Sequence, residues 1–167
     1  HYAGEIPDYP NLTTSINTAS DVCTAILINK RLNGQYAGWA VVGAFGDNLK
    51  QSARTLAKPL GLKADELALL ENLGIYMNYN GYGAAVEDLH FPPAELFQRI
   101  RPYASPFEFA QGDRETCQKL EQGYHDDMRA AAESQPYYAG AHAAAYVLPN
   151  AAWARRVSGV FSNQLAN

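Results

Sequence analysis

The sequence predicts an α/β fold that is rich in helix, and three observations support this prediction. A helical apolar pattern over residues 20–33 is followed, after a short connection, by an apolar run over 39–45 that is short enough for a buried strand. Helix-then-strand units of this kind are typical of α/β proteins. Most of the remaining chain carries helical patterns that end at proline, asparagine or glycine.

The first helix is predicted from its apolar face and its end signals. Ser20 and Asp21 can cap its start, and Asn33-Gly34 can end it. The apolar face consists of Val22, Ala25, Ile26 and Leu32. Cys23 lies among these residues, so we expect it to be a buried free thiol.

Residues 39–45 are predicted to form a central strand. Gly43 and Gly46 permit tight backbone where the strand stops, and Asp47 then stands at its carboxyl end. Open α/β sheets place their ligand crevice at this end of their strands, where a carboxylate can bind a metal or act as a base. The alternative interpretation is that Asp47-Asn48 caps the helix that follows.

Three helical segments are predicted next. Residues 48–57 form a helix that ends at Lys58-Pro59, and a second helix has acidic residues at 65–66 in its first turn. The third helix follows Phe91 and ends at Pro102. Between the second and third, residues 76–83 form a polar-aromatic loop, which is either substrate-facing or a connection whose rings pack on the core. The connection is the favoured interpretation.

The C-terminal part is predicted to begin with a long polar helix over 113–133, within which we place a domain boundary. Residues 137–148 are predicted to be a strand, because tyrosine, valine and the closing Pro149 outweigh alanine there. Asn150 can cap a last helix with an apolar face.

Composition excludes several classes of protein. The chain has 167 residues with 47% hydrophobic content, which is enough for a core, and a net charge of −4, which argues against broad binding to nucleic acid. No apolar run reaches the length of a membrane span, and the start of the chain does not resemble a signal peptide. Two cysteines do not make a disulfide scaffold in a chain of this length, and we expect a cytoplasmic protein.

Two histidines stand beside acidic residues, namely His90 near Asp88 and His125 next to Asp126-Asp127. Neither pair has a third partner at useful spacing, so we expect solvated surface residues rather than metal sites.

The segment Val-Val-Gly-Ala-Phe-Gly-Asp-Asn, residues 41–48, resembles the fourth motif of the DHH phosphoesterase superfamily. His1-Tyr2-Ala3-Gly4-Glu5-Ile6-Pro7 is similar to the sequence that follows the superfamily's Asp-His-His signature, with His1 as its last histidine. Residues 146–149 and 154–161 look like the accessory domain that follows the catalytic domain in this superfamily. The metal-binding aspartates of the first and second motifs would precede residue 1, so the resemblance implies an internal piece of a longer protein.

This resemblance implies a domain organisation and a metal site. Residues 1–110 would be the C-terminal part of a parallel-sheet catalytic domain, 111–135 a connector helix, and 136–167 the start of a small α/β accessory domain. Asp47 and His1 would bind manganese, and Asn48 would orient Asp47 or a bound water. Arg155 and Arg156 would contact a phosphate, because the guanidinium fork matches phosphate oxygens; the alternative for both is a solvated helix face. No catalytic residue is assigned.

The implied function is that of a fragment of a manganese-dependent phosphoesterase, with a two-metal site only in the full-length parent. Its partner would be a phosphorylated small molecule or a short nucleic acid: a nucleotide, an oligonucleotide or polyphosphate. We expect the fragment alone to be inactive. The alternative function is a non-catalytic α/β binding or regulatory module, and the sequence predicts no oligomeric state.

Overall fold

The computed structural model describes residues 4–6 and 8–166. Within these residues the chain forms eight α-helices, two short 3-10 helices and one two-stranded antiparallel sheet. The predicted helix-rich character is therefore confirmed, whereas the described residues contain no parallel sheet. The chain divides into two compact units: the first runs to Ile75 and includes Tyr103–Glu108, and the second comprises Tyr76–Pro102 and the chain from Phe109 onward. The domain boundaries predicted at 110 and 135 stay predictions.

The elements follow one another with short connections. The first four helices are α1 (Thr24–Arg31), α2 (Ala37–Gly46), α3 (Lys50–Ala57) and α4 (Ala64–Tyr79). The next three are α5 (Pro93–Ile100), α6 (Pro106–Gly112) and α7 (Arg114–Ala132). The chain then forms β1 (Tyr138–Ala139), β2 (Ala144–Ala145) and α8 (Ala152–Ala166). The 3-10 helices are Lys58–Leu60 and Val86–Asp88.

The predicted strand at 39–45 is wrong, because these residues lie inside helix α2. Five residues of α2 are buried: Ala40, Val41, Val42, Ala44 and Phe45. A helix that is apolar nearly all round loses its amphipathic period, and periodicity alone then cannot distinguish it from a buried strand. The ten-residue length of the element was the better signal, since buried strands are usually shorter.

Glycine allows the neighbouring helices of the first unit to approach α2 closely. A Cβ on Gly43 would lie 2.6 Å from the Cβ of Ala25 in α1, and a Cβ on Gly74 of α4 would overlap the carbonyl oxygen of Val42. At these two helix contacts there is room for the hydrogen atom of glycine but not for a Cβ atom. Gly43, which the sequence analysis assigned to the end of a strand, therefore serves helix packing instead.

The second unit is built around the contact of α7 with α8. Their core contains Ala131, Val157 and Phe161, and Tyr146 packs edge-on against Phe161 with ring centroids 5.3 Å apart. Residues 137–148 form a small hairpin with Tyr138 opposite Ala145, rather than one continuous strand. The long polar helix predicted over 113–133 is confirmed as α7, and its first turn is capped by the Asp113 carboxylate, which accepts the Thr116 N–H at 3.1 Å.

Candidate functional site

Asp47 and Asn48 form the C-terminal cap of α2. Asp47 is the last residue that continues the helix, and Asn48 adopts a left-handed conformation with φ of 59°. The Asn48 N–H donates to the carbonyl of Phe45, and the Leu49 N–H donates to that of Ala44, both at 2.9 Å. This is the Schellman arrangement, which satisfies the last carbonyls of a helix. The pair therefore caps the preceding helix, and not the following one as the alternative interpretation expected.

The Asp47 side chain is exposed, and it has no hydrogen bond or ion pair with the described part of the chain. A carboxylate at a helix C-terminus faces the negative end of the helix dipole, so its position is electrostatically unfavourable unless a cation lies nearby. The cap fixes the backbone on both sides of the residue. Asp47 is thus an exposed carboxylate on a fixed backbone, and a positive ion would stabilise it.

A complete metal centre is not assembled by the described residues, in which no group of three or more histidine, cysteine, aspartate or glutamate side chains could hold an ion. His1, the other predicted ligand, lies outside the described residues. Asn48 is exposed beside Asp47, and its predicted role of orienting Asp47 or a bound water stays a prediction. The residues present supply one carboxylate, which does not by itself fit a manganese site.

The second unit contains a buried ion pair that the sequence analysis missed. Asp127 of α7 is 4% exposed and forms a bidentate pair with Arg156 of α8, with oxygen–nitrogen distances of 2.6 and 2.8 Å. The Tyr79 hydroxyl donates to the same carboxylate at 2.7 Å. Arg156 also donates to the backbone carbonyl of Asp88. The expectation of a solvated surface is therefore wrong for Asp127, and so is that of a solvated helix face for Arg156.

A second bidentate pair joins Arg155 to Asp88, at 2.5 and 2.8 Å. Asp88 is 4% exposed, and it also accepts the backbone N–H of Ala84 at 2.9 Å. The expectation that Asp88 is solvated is therefore also wrong. Arg155 keeps about a third of its side chain exposed and also donates to Asn150 at 2.6 Å. Phosphate binding by Arg155 and Arg156 stays a prediction, and any phosphate there would compete with these carboxylates.

The electrostatics of the network follow from these contacts. Burial alone would raise the pKa of Asp127. The neighbouring His90, Arg156 and Tyr79 side chains lower this pKa by more than burial raises it, so it lies below the usual range. The Arg155 contact, aided by the Ala84 N–H, lowers the pKa of Asp88 in the same way. Both aspartates are charged in the folded state over the whole neutral range.

His90 is close to the network but not bonded within it. Its Nε2 lies 3.6 Å from a carboxylate oxygen of Asp127, which is beyond hydrogen-bond distance, and has no hydrogen-bond partner among the described residues although it is buried. Its side chain is 13% exposed, so it too was wrongly expected to be solvated. The ring occupies the space above Gly123, because a Cβ on that residue would overlap it.

The tyrosine-rich segment contributes its rings to the core of the second unit. Tyr79 is 1% exposed and packs edge-on against Tyr124, with ring centroids 5.1 Å apart. Tyr76 shares a 3.0 Å hydrogen bond with His125, which is itself exposed as expected. The interpretation that these rings pack on the core is confirmed for Tyr76 and Tyr79, whereas Tyr82 is 44% exposed. Residues 76–79 belong to α4 rather than to a loop.

An open groove of about 690 Å³ lies between the hairpin region and α8. Its apolar lining includes Tyr146, Leu148 and Phe161, and Arg155 and His142 are polar residues in its lining. This composition suits a ligand with an apolar body, whose anionic group would compete with Asp88 for Arg155.

Oppositely charged residues on α7 and α8 were the available sequence signal for the network. The pair Arg155-Arg156 and the acidic Asp126-Asp127 are each visible in the sequence, but nothing in their spacing says that they meet.

No helix in the described part of the chain is both long and apolar enough to cross a membrane. Comparison of the chain with protein-family models, with curated proteins and with solved structures gave no match.

Proposed function

We propose that this chain is part of a manganese-dependent phosphoesterase, in which Asp47 is a metal ligand. The observation that supports the proposal most is the position of Asp47: an exposed carboxylate with no hydrogen bond or ion pair to the described residues, in the capping turn at the negative end of a buried helix. The motif resemblance of residues 41–48 points to the same residue. This resemblance rests on the order of the residues alone, because the superfamily's motif places its aspartate after a strand, whereas Asp47 follows helix α2.

The proposal requires further ligands from outside the described residues, and His1 is one candidate. Manganese accepts both carboxylate and imidazole ligands, and three or more protein ligands are needed to compete with water. We therefore expect the 167-residue chain to bind Mn²⁺ only weakly, with a dissociation constant above about 0.1 mM. The expected substrates are phosphodiesters or phosphoanhydrides of nucleotides, short oligonucleotides or polyphosphate.

The test compares Asp47→Asn with Asp65→Asn. Asp65 is also exposed but lies in the first turn of α4, at the positive end of a helix, where a carboxylate needs no cation. The melting temperature of each variant is measured over a series of Mn²⁺ concentrations. We expect the Mn²⁺-induced rise to disappear in Asp47→Asn and to persist in Asp65→Asn.

Activity is measured in parallel with bis(p-nitrophenyl) phosphate and Mn²⁺. We expect no turnover by the chain itself, and in a longer parent we expect Asp47→Asn to abolish turnover without loss of the fold. If Asp47→Asn alters neither the Mn²⁺ response of this chain nor the turnover of the parent, Asp47 is a helix cap and the metal-site proposal fails.

The second candidate function is a non-catalytic binding module, which the groove along α8 favours. Ser158 lines this groove and is exposed, so Ser158→Tyr should obstruct part of it without disturbing the core. Under this alternative the variant loses binding of an anionic amphiphilic dye such as anilinonaphthalene sulfonate. Equal dye binding by the variant and the wild type would exclude the groove as the binding site.

A further inference from the structure

An apolar pocket in the first unit is separate from Asp47 and from the ionic network. It lies between α1 and α2, has a volume of about 240 Å³, and its lining includes Ile28, Leu32, Tyr36 and Trp39. Ile28, Leu32 and Tyr36 are 46%, 40% and 38% exposed. Adjacent exposed apolar residues around a concave surface are typical of a face that another segment or molecule covers.

The N-terminal segment of the same unit carries a second exposed apolar surface. Residues 8–16 form no helix or strand, and Tyr9, Leu12 and Ile16 are 60%, 44% and 48% exposed. The backbone hydrogen bond from the Leu12 N–H to the Tyr9 carbonyl, at 3.0 Å, is local and closes a turn. This segment therefore presents three apolar side chains that the rest of the unit leaves in contact with water.

The two surfaces have opposite charge. Residues 4–29 include no lysine or arginine, and Asp8 stands directly before Tyr9. Residues 22–46 include no aspartate or glutamate, whereas Lys30 and Arg31 are exposed at the end of α1. Opposite charge favours association of the segment with the α1 face, and like charge disfavours association of that face with its own copy.

The connection between the two surfaces is long enough for them to meet. Before α1 the chain is tied to α3 at Asp21, whose backbone carbonyl accepts the Ser52 hydroxyl at 2.8 Å. The stretch from Leu12 to Asp21 spans up to roughly 30 Å when extended, whereas the eight residues of α1 cover about 12 Å. Leu12 therefore reaches the pocket. Because both surfaces belong to one chain, their effective concentration is high.

We propose that residues 8–16 form a strap that closes over the pocket between α1 and α2, with Leu12 seated in the pocket and Asp8 near Lys30 and Arg31. Closure removes apolar side chains of both surfaces from water, which drives it. The structure shows the open arrangement, in which the pocket is accessible. The strap therefore regulates access to the pocket, as closing loops do in other proteins.

Cysteine cross-linking in the 167-residue chain tests the closed arrangement. Leu12→Cys is combined with Leu32→Cys, and the control pair combines it with Leu69→Cys, because Leu69 is 38% exposed on α4. Cysteine keeps a small apolar side chain at these positions. Both pairs carry Cys117→Ser, and the buried Cys23 is retained. After oxidation with copper–phenanthroline, we expect mass spectrometry to show the intrachain disulfide forming roughly tenfold faster in the first pair.

Charge reversal distinguishes specific closure from chance encounter. Lys30→Glu should slow the cross-link of the first pair by about threefold, and the further change Asp8→Lys should restore it. Equal rates for the two cysteine pairs, or a rate that does not respond to Lys30→Glu, would overturn the proposal. Disulfide-linked dimers in place of the intrachain product would also overturn it, because the segment would then close on a second copy. No metal is added, so the outcome is independent of the metal-site proposal.

Discussion

Replacing Arg156 by methionine tests whether the buried ion pair holds α7 and α8 together. The substitution keeps much of the aliphatic stem and removes the guanidinium group. Asp127, whose side chain is 5% exposed, then keeps the Tyr79 hydroxyl but loses its cationic partner. Removing one member of a buried pair costs about 3–5 kcal/mol in the free energy of unfolding, because a charge is left buried without compensation. At roughly 2–4 °C per kcal/mol for a chain of this size, the melting temperature should fall by about 6–20 °C.

Arg129→Met is the matched control. Arg129 lies on the same helix as Asp127 and pairs with Asp126 at 3.0 Å, but the two side chains are 63% and 50% exposed. A solvent-exposed pair contributes about 0–1 kcal/mol, so this variant should unfold close to the wild type. In a Trp39→Phe background, urea denaturation followed by the fluorescence of Trp153, which packs on the α7–α8 core, reports on this unit.

Acid titration of stability gives an independent measurement. Asp127 has a folded-state pKa below its usual value, so its contribution is fully present above the unfolded pKa of about 3.9. The contribution is lost as pH falls from that value through the folded-state pKa. Because Arg156 helps to lower this pKa, Arg156→Met should show a shallower loss of stability below about pH 4. The reasoning is refuted if Arg156→Met is no more destabilising than Arg129→Met, or if the acid dependence is the same in the variant and the wild type.

Three further outcomes are expected from single sites. Gly123→Ala should destabilise by about 1–3 kcal/mol in thermal unfolding, because its methyl group overlaps the His90 ring, and an unchanged midpoint would show that the ring moves freely. Asn29→Leu should raise the free energy of unfolding in urea by about 1–3 kcal/mol, because it removes a buried amide oxygen that has no hydrogen-bond partner among the described residues. A lower free energy of unfolding would mean that this oxygen accepts a hydrogen bond in solution. Burial raises the pKa of the Cys117 thiol to about 11, so at pH 8 its alkylation by iodoacetamide should be slower than that of free cysteine by on the order of a hundredfold, and mass spectrometry showing equal rates would contradict this burial.

The sequence by itself determined most helices and several of their ends. Asn33-Gly34 stands just beyond α1, Pro59 follows α3, and the Asp113 side chain caps α7, as local chemistry requires. Asp47 was likewise placed at the end of an apolar element, although the type of that element was wrong. These features depend on residues within one or two turns of each other, so a linear pattern contains the information.

Tertiary structure decided the conformation of residues 37–46. Nearly all residues of α2 are apolar, as its buried position requires. The sequence of α2 therefore lacks the alternation of apolar and polar residues that distinguishes a helix from a strand. Its close contacts with α1 and α4, at Gly43 and Gly74, then favour the helix through packing that no local window contains.

Tertiary structure also decided which charges are buried. Asp127 and Arg156 are 29 positions apart in the sequence, and Asp88 and Arg155 are 67 apart. Isolated charged residues are usually exposed, so sequence reasoning assigned these side chains to the surface. Only the folding of α8 against α7 and against the 3-10 helix Val86–Asp88 brings these opposite charges within hydrogen-bond distance, and the resulting attraction makes their burial possible.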